Sequence, residues 1–536
     1  MWLNVIPHRI WIVAALAVGL AHGQNDLRAL SYNKSSVNLP SSIVAMEAAY
    51  DLDGDGLNDI VAVYQRRIMI FFQTDKGTFS SAPDIEIGGE QPIPDKYAGV
   101  SIGKVAPERG YQLLLIGETG VDYISFSSIK SGVNEPVEPR NLLTESLRIS
   151  NRPELVYLNC AVDMDGDGTP ELVLPVGNSL VVYSSFDGAP YAEKARVPLS
   201  WKTAQVTSLD REPFLLGSAF FNQPGGGGNV RMLPEGGLWH SVRYSSSRYV
   251  DNMLMTDFDG DRRIDLVGNG FLRYQQDDGG FEKRLDSNVF RRVVTSIVPH
   301  ESRNVLVTIP NLVDFNDDKR WDTYSVNVTA AKLSPRTDIS VYLGGENRQF
   351  SDKPTQVLRT RDFAYSDAIP IGDINGDGAQ DIALFHLDFQ PSSMQSQLKA
   401  YLKNGLDGEL RFYTWDKSKK QFPDSATFRH PVTVSYEIYG ARQFFRQQVS
   451  ISQNMVGSDL PDLVLKTGGM EFSVFENQGD KGFSRSASAV VSTSPTKFSS
   501  LETVDLNQDG LGDVIITGYL DDQDDRIIYT FFTSQK

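Results

Sequence analysis

Six nine-residue segments of this 536-residue chain carry oxygen-bearing side chains at their first, third, fifth and ninth positions. They read DLDGDGLND from Asp51, DMDGDGTPE from Asp163, DFDGDRRID from Asp257, DFNDDKRWD from Asp314, DINGDGAQD from Asp373 and DLNQDGLGD from Asp505. A tight loop with oxygen side chains on alternate residues can wrap one Ca²⁺, because this ion takes about six to eight oxygen ligands in a flexible geometry. The spacing therefore predicts a set of calcium loops.

The residues that follow these loops indicate strands rather than helices. The helical calcium hand needs a Glu at position 12 and flanking amphipathic helices, but position 12 is Ala62, Leu174 or Gly268 in three of the loops. Apolar and β-branched runs follow instead, such as DIVAVY and DVIITG, which are typical of β-strands. Each loop is therefore predicted to join two strands.

The spacing of the loops predicts a repeat architecture. Asp257, Asp314 and Asp373 follow one another at single-unit distances, and the wider gaps are close to two units of about 50–65 residues. Degenerate copies fill the wider gaps at Lys104 and Asn454, with a weaker copy at Gln205. We count nine units of four short antiparallel strands, with eight as an alternative if one copy is misread, and seven as a further possibility.

This combination of acidic loop and following strand resembles the FG-GAP/VCBS repeat family, which includes the propeller of integrin α-chains. The resemblance covers residues 24–536 as a single domain, and it implies an all-β fold, a β-propeller of four-stranded antiparallel blades with Ca²⁺ in inter-strand loops. The chain carries more intact loops than the integrin pattern and no other receptor domains, so integrin-like partners are not implied.

The resemblance also implies the ligands, which are the side chains at positions 1, 3, 5 and 9 of each loop. Position 7 shares no side-chain chemistry among the loops, as expected if only its backbone carbonyl binds. We therefore expect up to about six Ca²⁺ ions. The six sets are Asp51, Asp53, Asp55, Leu57 and Asp59; Asp163, Asp165, Asp167, Thr169 and Glu171; Asp257, Asp259, Asp261, Arg263 and Asp265; Asp314, Asn316, Asp318, Arg320 and Asp322; Asp373, Asn375, Asp377, Ala379 and Asp381; and Asp505, Asn507, Asp509, Leu511 and Asp513.

The two ends of the chain predict how the ring closes. The last unit stops at Lys536 one strand short of four, and LRALSYNKSSVNLP near the N-terminus reads as the missing outer strand. Pairing of that N-terminal strand with the last unit would remove the exposed sheet edges that invite aggregation.

Net charge and cysteine content limit the classes of partner. The formal net charge is −17, and the loop ligands include 21 carboxylates, so the acidity is that of metal sites. A nucleic-acid partner is excluded because no basic face stands out. Cys160 is the only cysteine and lies in an apolar run, which predicts a buried thiol and no intrachain disulfide.

Residues 1–23 have the pattern of a secretory signal peptide. Arg9 precedes a twelve-residue apolar core, and Ala21-His22-Gly23 offers small residues for cleavage. That core is too short to span a bilayer, so no transmembrane anchor is expected in the mature chain. We expect a secreted, extracellular protein, or a periplasmic one in a Gram-negative host.

The sequence contains no recognisable catalytic motif, so we predict a binding or adhesion module for an extracellular protein or polysaccharide. A calcium-dependent polysaccharide lyase and a lectin on the same scaffold remain alternatives. The irregular stretch from Leu387 to about Gln447 reads as an elongated outer strand pair. The alternative is a binding loop in which Tyr413, Trp415, Arg442, Phe444 and Arg446 contact a sugar or an acidic partner.

Overall fold

The computed structural model describes most of the chain after residue 29. The described residues are 30–40, 45–75, 77–127, 138–149, 154–185, 188–198, 202–209, 223–232, 240–249, 253–257, 259–268, 271–282, 311–331, 334–345, 353–361, 371–387, 394–395, 398, 405–435, 449–451, 453–468, 471–493, 497–519 and 526–534. The predicted signal segment, residues 1–23, lies outside them.

The fold is all-β, with thirty-five strands in the described residues. The first half of the chain forms β1 (Tyr32–Pro40), β2 (Ala45–Tyr50), β3 (Asp59–Tyr64), β4 (Arg67–Phe71), β5 (Ile85–Ile87), β6 (Tyr97–Gly103), β7 (Gln112–Gly117), β8 (Gly120–Ile124), β9 (Arg140–Thr144), β10 (Val156–Tyr157), β11 (Ala161–Val162), β12 (Glu171–Val176), β13 (Ser179–Ser184), β14 (Ala192–Pro198), β15 (Lys202–Leu209), β16 (Gln223–Met232), β17 (His240–Tyr249), β18 (Met253–Thr256), β19 (Asp265–Gly268) and β20 (Phe271–Arg273). The second half forms β21 (Asn311–Val313), β22 (Asp322–Ala331), β23 (Ser334–Tyr342), β24 (Gln356–Thr360), β25 (Ile371–Gly372), β26 (Asp381–Leu387), β27 (Gly405–Tyr413), β28 (Phe428–Ser435), β29 (Val449–Ser450), β30 (Leu463–Gly468), β31 (Glu471–Phe475), β32 (Ala489–Ser492), β33 (Lys497–Val504), β34 (Asp513–Tyr519) and β35 (Arg526–Ser534).

The strands form small sheets in which consecutive strands pair antiparallel. We number eight of them in chain order: sheet 1 (β2–β5), sheet 2 (β6–β9, with β10 added in parallel to β6), sheet 3 (β11–β14), sheet 4 (β18–β20), sheet 5 (β21–β24), sheet 6 (β25–β28), sheet 7 (β29–β32) and sheet 8 (β33–β35). Each acidic loop joins the first two strands of its sheet, which confirms the predicted unit.

The second strands of sheets 1 and 2 are buried along almost their whole length, because both of their faces are covered. In β3 the run DIVAV is buried throughout, and in β7 all six residues QLLLIG are buried. Near-continuous apolar runs are expected of strands that are packed on both faces. These strands explain why the segment after each loop is rich in Val, Ile and Leu.

Strand β1 completes sheet 8 as its outer strand. It pairs antiparallel with β35 from Tyr32 opposite Ser534 to Pro40 opposite Arg526. The sheet order is β1-β35-β34-β33, so the N-terminal strand supplies the fourth strand that the last unit lacks. This confirms the predicted pairing of the N-terminal strand with the last unit.

Neighbouring sheets pack against each other through buried side chains. Separate apolar clusters join sheets 1 and 2, sheets 2, 3 and 4, sheets 5 and 6, sheets 6 and 7, and sheets 7 and 8. A further cluster joins sheet 8 to sheet 1, with Phe531 and Val37 on one side and Phe71 on the other. Cys160 is buried in the cluster of sheets 2 to 4, as predicted, and burial raises the pKa of its thiol to about 12.

The weak repeat at Gln205 does not follow the pattern of the other units. Its strand β15 belongs to a three-stranded sheet of order β15-β17-β16, which is not a meander of consecutive strands. Sheets 3 and 4 contact each other directly, since Leu266 of β19 packs into the same cluster as Leu172 of β12. The structure therefore does not insert the ninth sheet between these neighbours.

The irregular stretch after Leu387 forms an outer strand pair, as the first of its two interpretations predicted. Strands β27 and β28 pair over eight positions, from Gly405 opposite Ser435 to Phe412 opposite Phe428. Tyr413 and Trp415 are 3% and 2% exposed, and both belong to the apolar core between sheets 5 and 6. The prediction that these two rings stack on a sugar is therefore wrong, whereas Arg442, Phe444 and Arg446 lie outside the described residues.

No helix within the described part of the chain combines the length and apolar character that crossing a bilayer would require.

Candidate metal centres

Six acidic loops lie at equivalent places in six sheets, and we name each loop after its sheet. Loop 1 begins at Asp51, loop 3 at Asp163, loop 4 at Asp257, loop 5 at Asp314, loop 6 at Asp373 and loop 8 at Asp505. Loops 2 and 7 are the degenerate copies that begin at Lys104 and Asn454. Every loop connects the first strand of its sheet to the second.

The position 1 carboxylate organises the turn of each loop. In loop 6, Asp373 accepts hydrogen bonds from the backbone N–H groups of Gly376 (2.8 Å), Asp377 (3.1 Å) and Gly378 (2.8 Å). The bond from position 6 to the second oxygen of position 1 recurs in all six loops at 2.8–2.9 Å. The carboxylate is thus held by several backbone donors before any ion is considered.

Position 6 requires a left-handed backbone conformation in the loops that lack Gly there, as well as in those that have it. Gly56 has φ 92°, while Arg262 and Lys319 have φ 72° and 65°. Such angles are uncommon for residues with a Cβ. Arg262 and Lys319 nevertheless donate the same N–H to position 1 as the glycines do, so the departure from Gly leaves the loop geometry intact.

Positions 3 and 5 follow one pattern in all six loops. The position 3 oxygen accepts the N–H of position 5, both where the residue is Asp and where it is Asn. The position 5 carboxylate accepts the N–H of position 7 at 2.7–3.0 Å. The predicted position 7 residues therefore sit at the expected turn, with their N–H groups bonded to position 5.

The position 9 residue is buried and receives two backbone hydrogen bonds. In loop 8, one oxygen of Asp513 accepts from Leu506 N–H (2.7 Å) and the other accepts from Ser534 N–H (2.6 Å). The same pair of bonds, from position 2 and from the end of the third strand, occurs in loops 1, 5 and 6. Position 9 thus connects its loop to two strands of its sheet.

Burial raises the pKa of these position 9 carboxyls. The pKa of Asp59, Asp322, Asp381 and Asp513 rises to about 7, with loss of solvation as the largest cause and the neighbouring loop carboxylates as a further one. A cation in the loop would oppose both effects, because a nearby opposite charge favours the ionised form.

In three loops the structure brings carboxylate oxygens of positions 1, 3 and 9 within 4.8 Å of one another. These groups are Asp51, Asp53 and Asp59; Asp163, Asp165 and Glu171; and Asp257, Asp259 and Asp265. The position 5 carboxylates are not part of these groups. In loops 5, 6 and 8 position 3 is Asn, and its side-chain oxygen makes the same turn bond as Asp does.

The donor set fits a hard divalent cation. The convergent groups consist of carboxylate oxygens, the ligand type that Ca²⁺ and Mg²⁺ share. Each position 5 carboxyl offers one oxygen to the N–H of position 7, and in loops 5 and 6 its other oxygen accepts a bond from the Asn side chain at position 3. When bound, such an ion would supply a positive charge that holds the loop carboxylates together.

Loop 3 differs from the others because a lysine enters it. Lys194 of β14 places its Nζ 2.5 Å from Asp165 Oδ2 and 3.3 Å from Glu171 Oε1. Both carboxylates are predicted calcium ligands, and the lysine is only 21% exposed. No sequence motif predicts this contact, because Lys194 lies 23 residues after Glu171 on a strand with no motif of its own.

Arginine side chains in loops 4 and 5 also pair with ligands. Arg263 binds Asp261 and Asp277, and Arg320 lies 3.6 Å from Asp318. Both arginines occupy position 7, and both partners inside the loop are at position 5. The charge of the position 5 carboxylate is therefore partly compensated in these two loops.

The degenerate loops keep the framework without the ligands. In loop 7, Asp462 at position 9 accepts from Met455 N–H and Asn477 N–H, both at 2.8 Å. In loop 2, Gln112 replaces the acid, and its Oε1 accepts from Val105 N–H (2.9 Å) and Ala106 N–H (3.1 Å). Position 9 therefore has a structural role that is separate from ion binding, which the sequence analysis missed.

Comparison with known proteins adds little to this picture. No family model matches the chain, and no curated protein matches it. Among solved structures, an Agrocybe aegerita lectin described as recognising non-reducing terminal N-acetylglucosamine has 13% identity and a TM-score of 0.37, over 75% of this chain and 81% of the lectin chain. A Lactobacillus plantarum protein has 8% identity and a TM-score of 0.27, over 69% and 81% of the two chains.

Proposed function

We propose that this chain is a secreted, calcium-stabilised β-propeller of the FG-GAP/VCBS type that acts as a binding or adhesion module. The observation that carries the proposal is the recurrence of one oxygen-lined loop at the same place in six sheets that pack side by side. Many weak sites in one structural position are typical of a stabilised scaffold rather than of one catalytic centre.

We propose eight blades, made by sheets 1 to 8. Contacts between neighbours support this number, including the cluster that joins sheet 8 to sheet 1. Sheets 4 and 5 approach closely as well, since a Cβ on Gly260 would come within 2.2 Å of Lys319 O. The three-stranded sheet β15-β17-β16 is then an insertion between blades 3 and 4 rather than a ninth blade.

Calcium is the ion we propose for the six intact loops. The ligands are oxygen atoms on a flexible turn, and extracellular calcium modules work with Kd values of about 10⁻⁴–10⁻³ M. Magnesium demands a stricter octahedral geometry and keeps several waters. A secreted protein would meet enough calcium to fill loose sites, which fits the signal peptide predicted at residues 1–23.

Bound ions would act on stability by linkage. A site held at ten times its Kd adds about 1.4 kcal/mol to the free energy of unfolding, so six such sites would add about 8 kcal/mol. For a chain of this length 1 kcal/mol shifts Tm by about 1 °C. The expected rise of Tm at saturating calcium is therefore about 8 °C.

We place an extracellular protein ahead of a glycan as the partner. The aromatic pair that the sequence offered for sugar stacking, Tyr413 and Trp415, belongs to the core between sheets 5 and 6. A lectin or a polysaccharide lyase on this scaffold would need other residues. Binding screens against extracellular proteins and polysaccharides, each with calcium and with EDTA, would separate these classes.

Thermal unfolding of the mature protein across a calcium titration is the decisive experiment. We expect a Tm rise of about 8 °C with calcium, little change with magnesium, and about six ions per chain by calorimetry. A matched variant is Asp53→Val with Asp55→Ser in loop 1, because loop 7 carries Val456 and Ser458 at these positions. It should lower the ion count by one. An unchanged Tm with no bound ion would refute the calcium assignment.

A further inference from the structure

Adjacent loops are joined by a backbone hydrogen bond that recurs from sheet to sheet. The N–H of position 8 in one loop donates to the carbonyl of position 2 in the loop of the preceding sheet: Asn58 to Leu506 (3.2 Å), Ile264 to Met164 (2.9 Å) and Gln380 to Phe315 (3.2 Å). Closely similar bonds to position 1 carbonyls run from Tyr111 to Asp51 (2.7 Å) and from Gly512 to Asn454 (2.7 Å). Within the described residues, five pairs of neighbouring loops are therefore joined by such a bond.

Three position 2 residues, Leu506, Met164 and Phe315, are bonded through both their N–H and their carbonyl group. Leu506 donates its N–H to Asp513 at 2.7 Å and accepts the N–H of Asn58 through its carbonyl. Asn58 directly precedes Asp59, the position 9 residue of loop 1. Two residues, Leu506 and Asn58, thus link the position 9 carboxylates of loops 8 and 1.

The same two-bond chain occurs in two other pairs of intact loops. Met164 links Glu171 of loop 3 (2.8 Å) to Ile264, which precedes Asp265 of loop 4. Phe315 links Asp322 of loop 5 (2.9 Å) to Gln380, which precedes Asp381 of loop 6.

The linking residues are fully buried, which makes the connection mechanically stiff. Leu506, Met164 and Phe315 each have 0% exposure, so no water can replace the two bonds that each one makes. Buried backbone groups that lose their partner cost about 1–3 kcal/mol each. A shift of one loop is therefore transmitted to the next, because water cannot take over the hydrogen bonds that the shift would break.

We propose that the calcium loops act as coupled neighbours, in which an ion in one loop raises the affinity of the loop bonded to it. The proposal rests on the calcium sites of the proposed function. It assigns loops 8 and 1, 3 and 4, and 5 and 6 as the directly bonded pairs. Loops 2 and 7, which lack ligands, stand between loops 1 and 3 and between loops 6 and 8, and they separate the coupled groups.

The coupling should be positive because one bound ion orders part of the backbone that the neighbouring loop must also order before it binds its own ion. An ion would hold the position 9 carboxylate of its loop, which accepts the N–H of position 2. The carbonyl of position 2 in turn holds the N–H of position 8 in the neighbouring loop, the residue directly before that loop's position 9 ligand. A second ion then meets a loop that is already ordered and loses less conformational entropy. Coupling between sites in proteins usually corresponds to about a fivefold or greater change in affinity.

Hydrogen–deuterium exchange of the full mature chain across a calcium titration would measure each loop separately. Peptides over residues 505–513 report on loop 8, and peptides over residues 373–381 report on loop 6. In the loop 1 variant Asp53→Val with Asp55→Ser, we expect the calcium midpoint of loop 8 to rise about fivefold or more, while loop 6 stays unchanged. Reciprocity requires that Asn507→Val with Asp509→Ser in loop 8 raise the loop 1 midpoint by the same factor.

A second variant cuts the bond and keeps every ligand. Asn58→Pro removes the N–H that Leu506 accepts, and the chain already carries proline at position 8 in Pro170 and Pro461. In the Asn58→Pro background, the loop 1 substitutions should no longer move the loop 8 midpoint. Asn58→Ala is the control, because it keeps the N–H and removes only the side-chain bond to Gln508.

Three results would overturn the proposal. The loop 8 midpoint could stay unchanged when loop 1 is disabled. Loops 8 and 6 could shift equally, which would indicate a general loss of stability. The effect could also persist in the Asn58→Pro background. The calcium sites themselves would survive these three results, whereas absence of calcium-dependent protection in the unmodified protein would refute the sites and the coupling together.

Discussion

The side-chain amide of Asn477 donates to the carbonyl oxygen of Ile374 at 2.8 Å across the boundary between sheets 7 and 6. In three other pairs of loops, the position 2 carbonyl accepts the N–H of position 8 in the next loop. In loop 7 position 8 is Pro461, which has no N–H to donate. Asn477 also donates to the carbonyl of Pro461 at 2.9 Å, so one side chain replaces the missing backbone bond and holds the proline in place.

Replacement of Asn477 by Ala should therefore destabilise the fold whether or not calcium is present. Asn477 is buried, and its loss leaves the carbonyls of Ile374 and Pro461 without that donor. We expect a loss of about 2–4 kcal/mol in the free energy of unfolding, measured by urea denaturation in EDTA. Asn141→Ala, at an exposed side chain bonded to Asp122, is the control and should change little. If Asn477→Ala loses no more free energy of unfolding than the control, Asn477 does not replace the missing backbone bond.

Lys194→Met should strengthen calcium binding at loop 3. The Lys194 ammonium lies between Asp165 and Glu171 and competes with an ion for both carboxylates. Since the pair is partly exposed, we expect a gain of about 1 kcal/mol, or about fivefold in the calcium midpoint of peptides over residues 163–171. The same change should lower stability in EDTA, because the carboxylates then lose their countercharge.

The control for this experiment is Lys419→Met. Lys419 is 67% exposed and pairs with Asp416 in the turn between β27 and β28, away from loop 3. Its loss should leave the loop 3 midpoint where it was. If the calcium midpoint of loop 3 does not fall in Lys194→Met, the Lys194 ammonium does not compete with the ion.

Position 9 offers a way to separate the structural role from ion binding. Asp462 of loop 7 and Asp513 of loop 8 both accept two buried backbone bonds, but only loop 8 retains the other ligands. In EDTA, Asp462→Ala and Asp513→Ala should each cost about 2–4 kcal/mol. At saturating calcium, the difference in free energy of unfolding between Asp513→Ala and the unmodified protein should become larger. The corresponding difference for Asp462→Ala should stay the same. Equal calcium responses in the two variants would contradict this division of roles.

The buried Glu47 should make stability fall as pH rises. Burial in β2 raises the pKa of this carboxyl from its ordinary 4.5 to about 8. Between these two values the unfolded chain is ionised while the folded protein keeps its proton, so the unfolded state binds fewer protons and stability declines with increasing pH. Each pKa unit corresponds to about 1.36 kcal/mol, so the decline amounts to a few kcal/mol.

Glu47→Gln should remove that decline. Urea denaturation from pH 5 to pH 8 in EDTA should show a variant that gains stability over the unmodified protein as pH increases. The position 9 carboxyls contribute a slope of the same sign, but they are common to both proteins and cancel in the difference. Glu90→Gln, at an exposed residue, should run parallel to the unmodified protein. Parallel curves for Glu47→Gln as well would refute the prediction.

Much of the fold could be predicted because it is encoded locally. The loop spacing and the apolar run after each loop, such as DIVAVY from Asp59, specify which strands pair. The closing strand was predictable because the last unit lacks one strand. The Gln205 copy was misleading because an apolar segment with few acids fits several kinds of strand, whereas the contact of Leu266 with the β12 cluster and the bond from Ile264 to Met164 show that sheets 3 and 4 are neighbours.

The ligand positions were predictable from residue type, whereas their surroundings were not. The convergence of Asp51, Asp53 and Asp59 follows from their spacing in one loop. The approach of Lys194 depends on the register between β13 and β14, and the burial of Trp415 depends on the packing of sheet 6 against sheet 5. Contacts of this kind arise between segments distant in sequence, so a local sequence pattern does not predict them.

The pairing of β1 with β35 has a consequence for the order of folding. Ser36 bonds Thr530, a residue 494 positions later, so β1 meets its partner only after the sheets between them have been synthesised. Every other strand of sheets 1 to 8 pairs with strands from its own part of the chain. Contacts of long sequence separation are slow to form. The pairing of β1 with β35 is therefore expected as a late step, and until then β35 presents an unpaired edge that a second nascent chain could occupy.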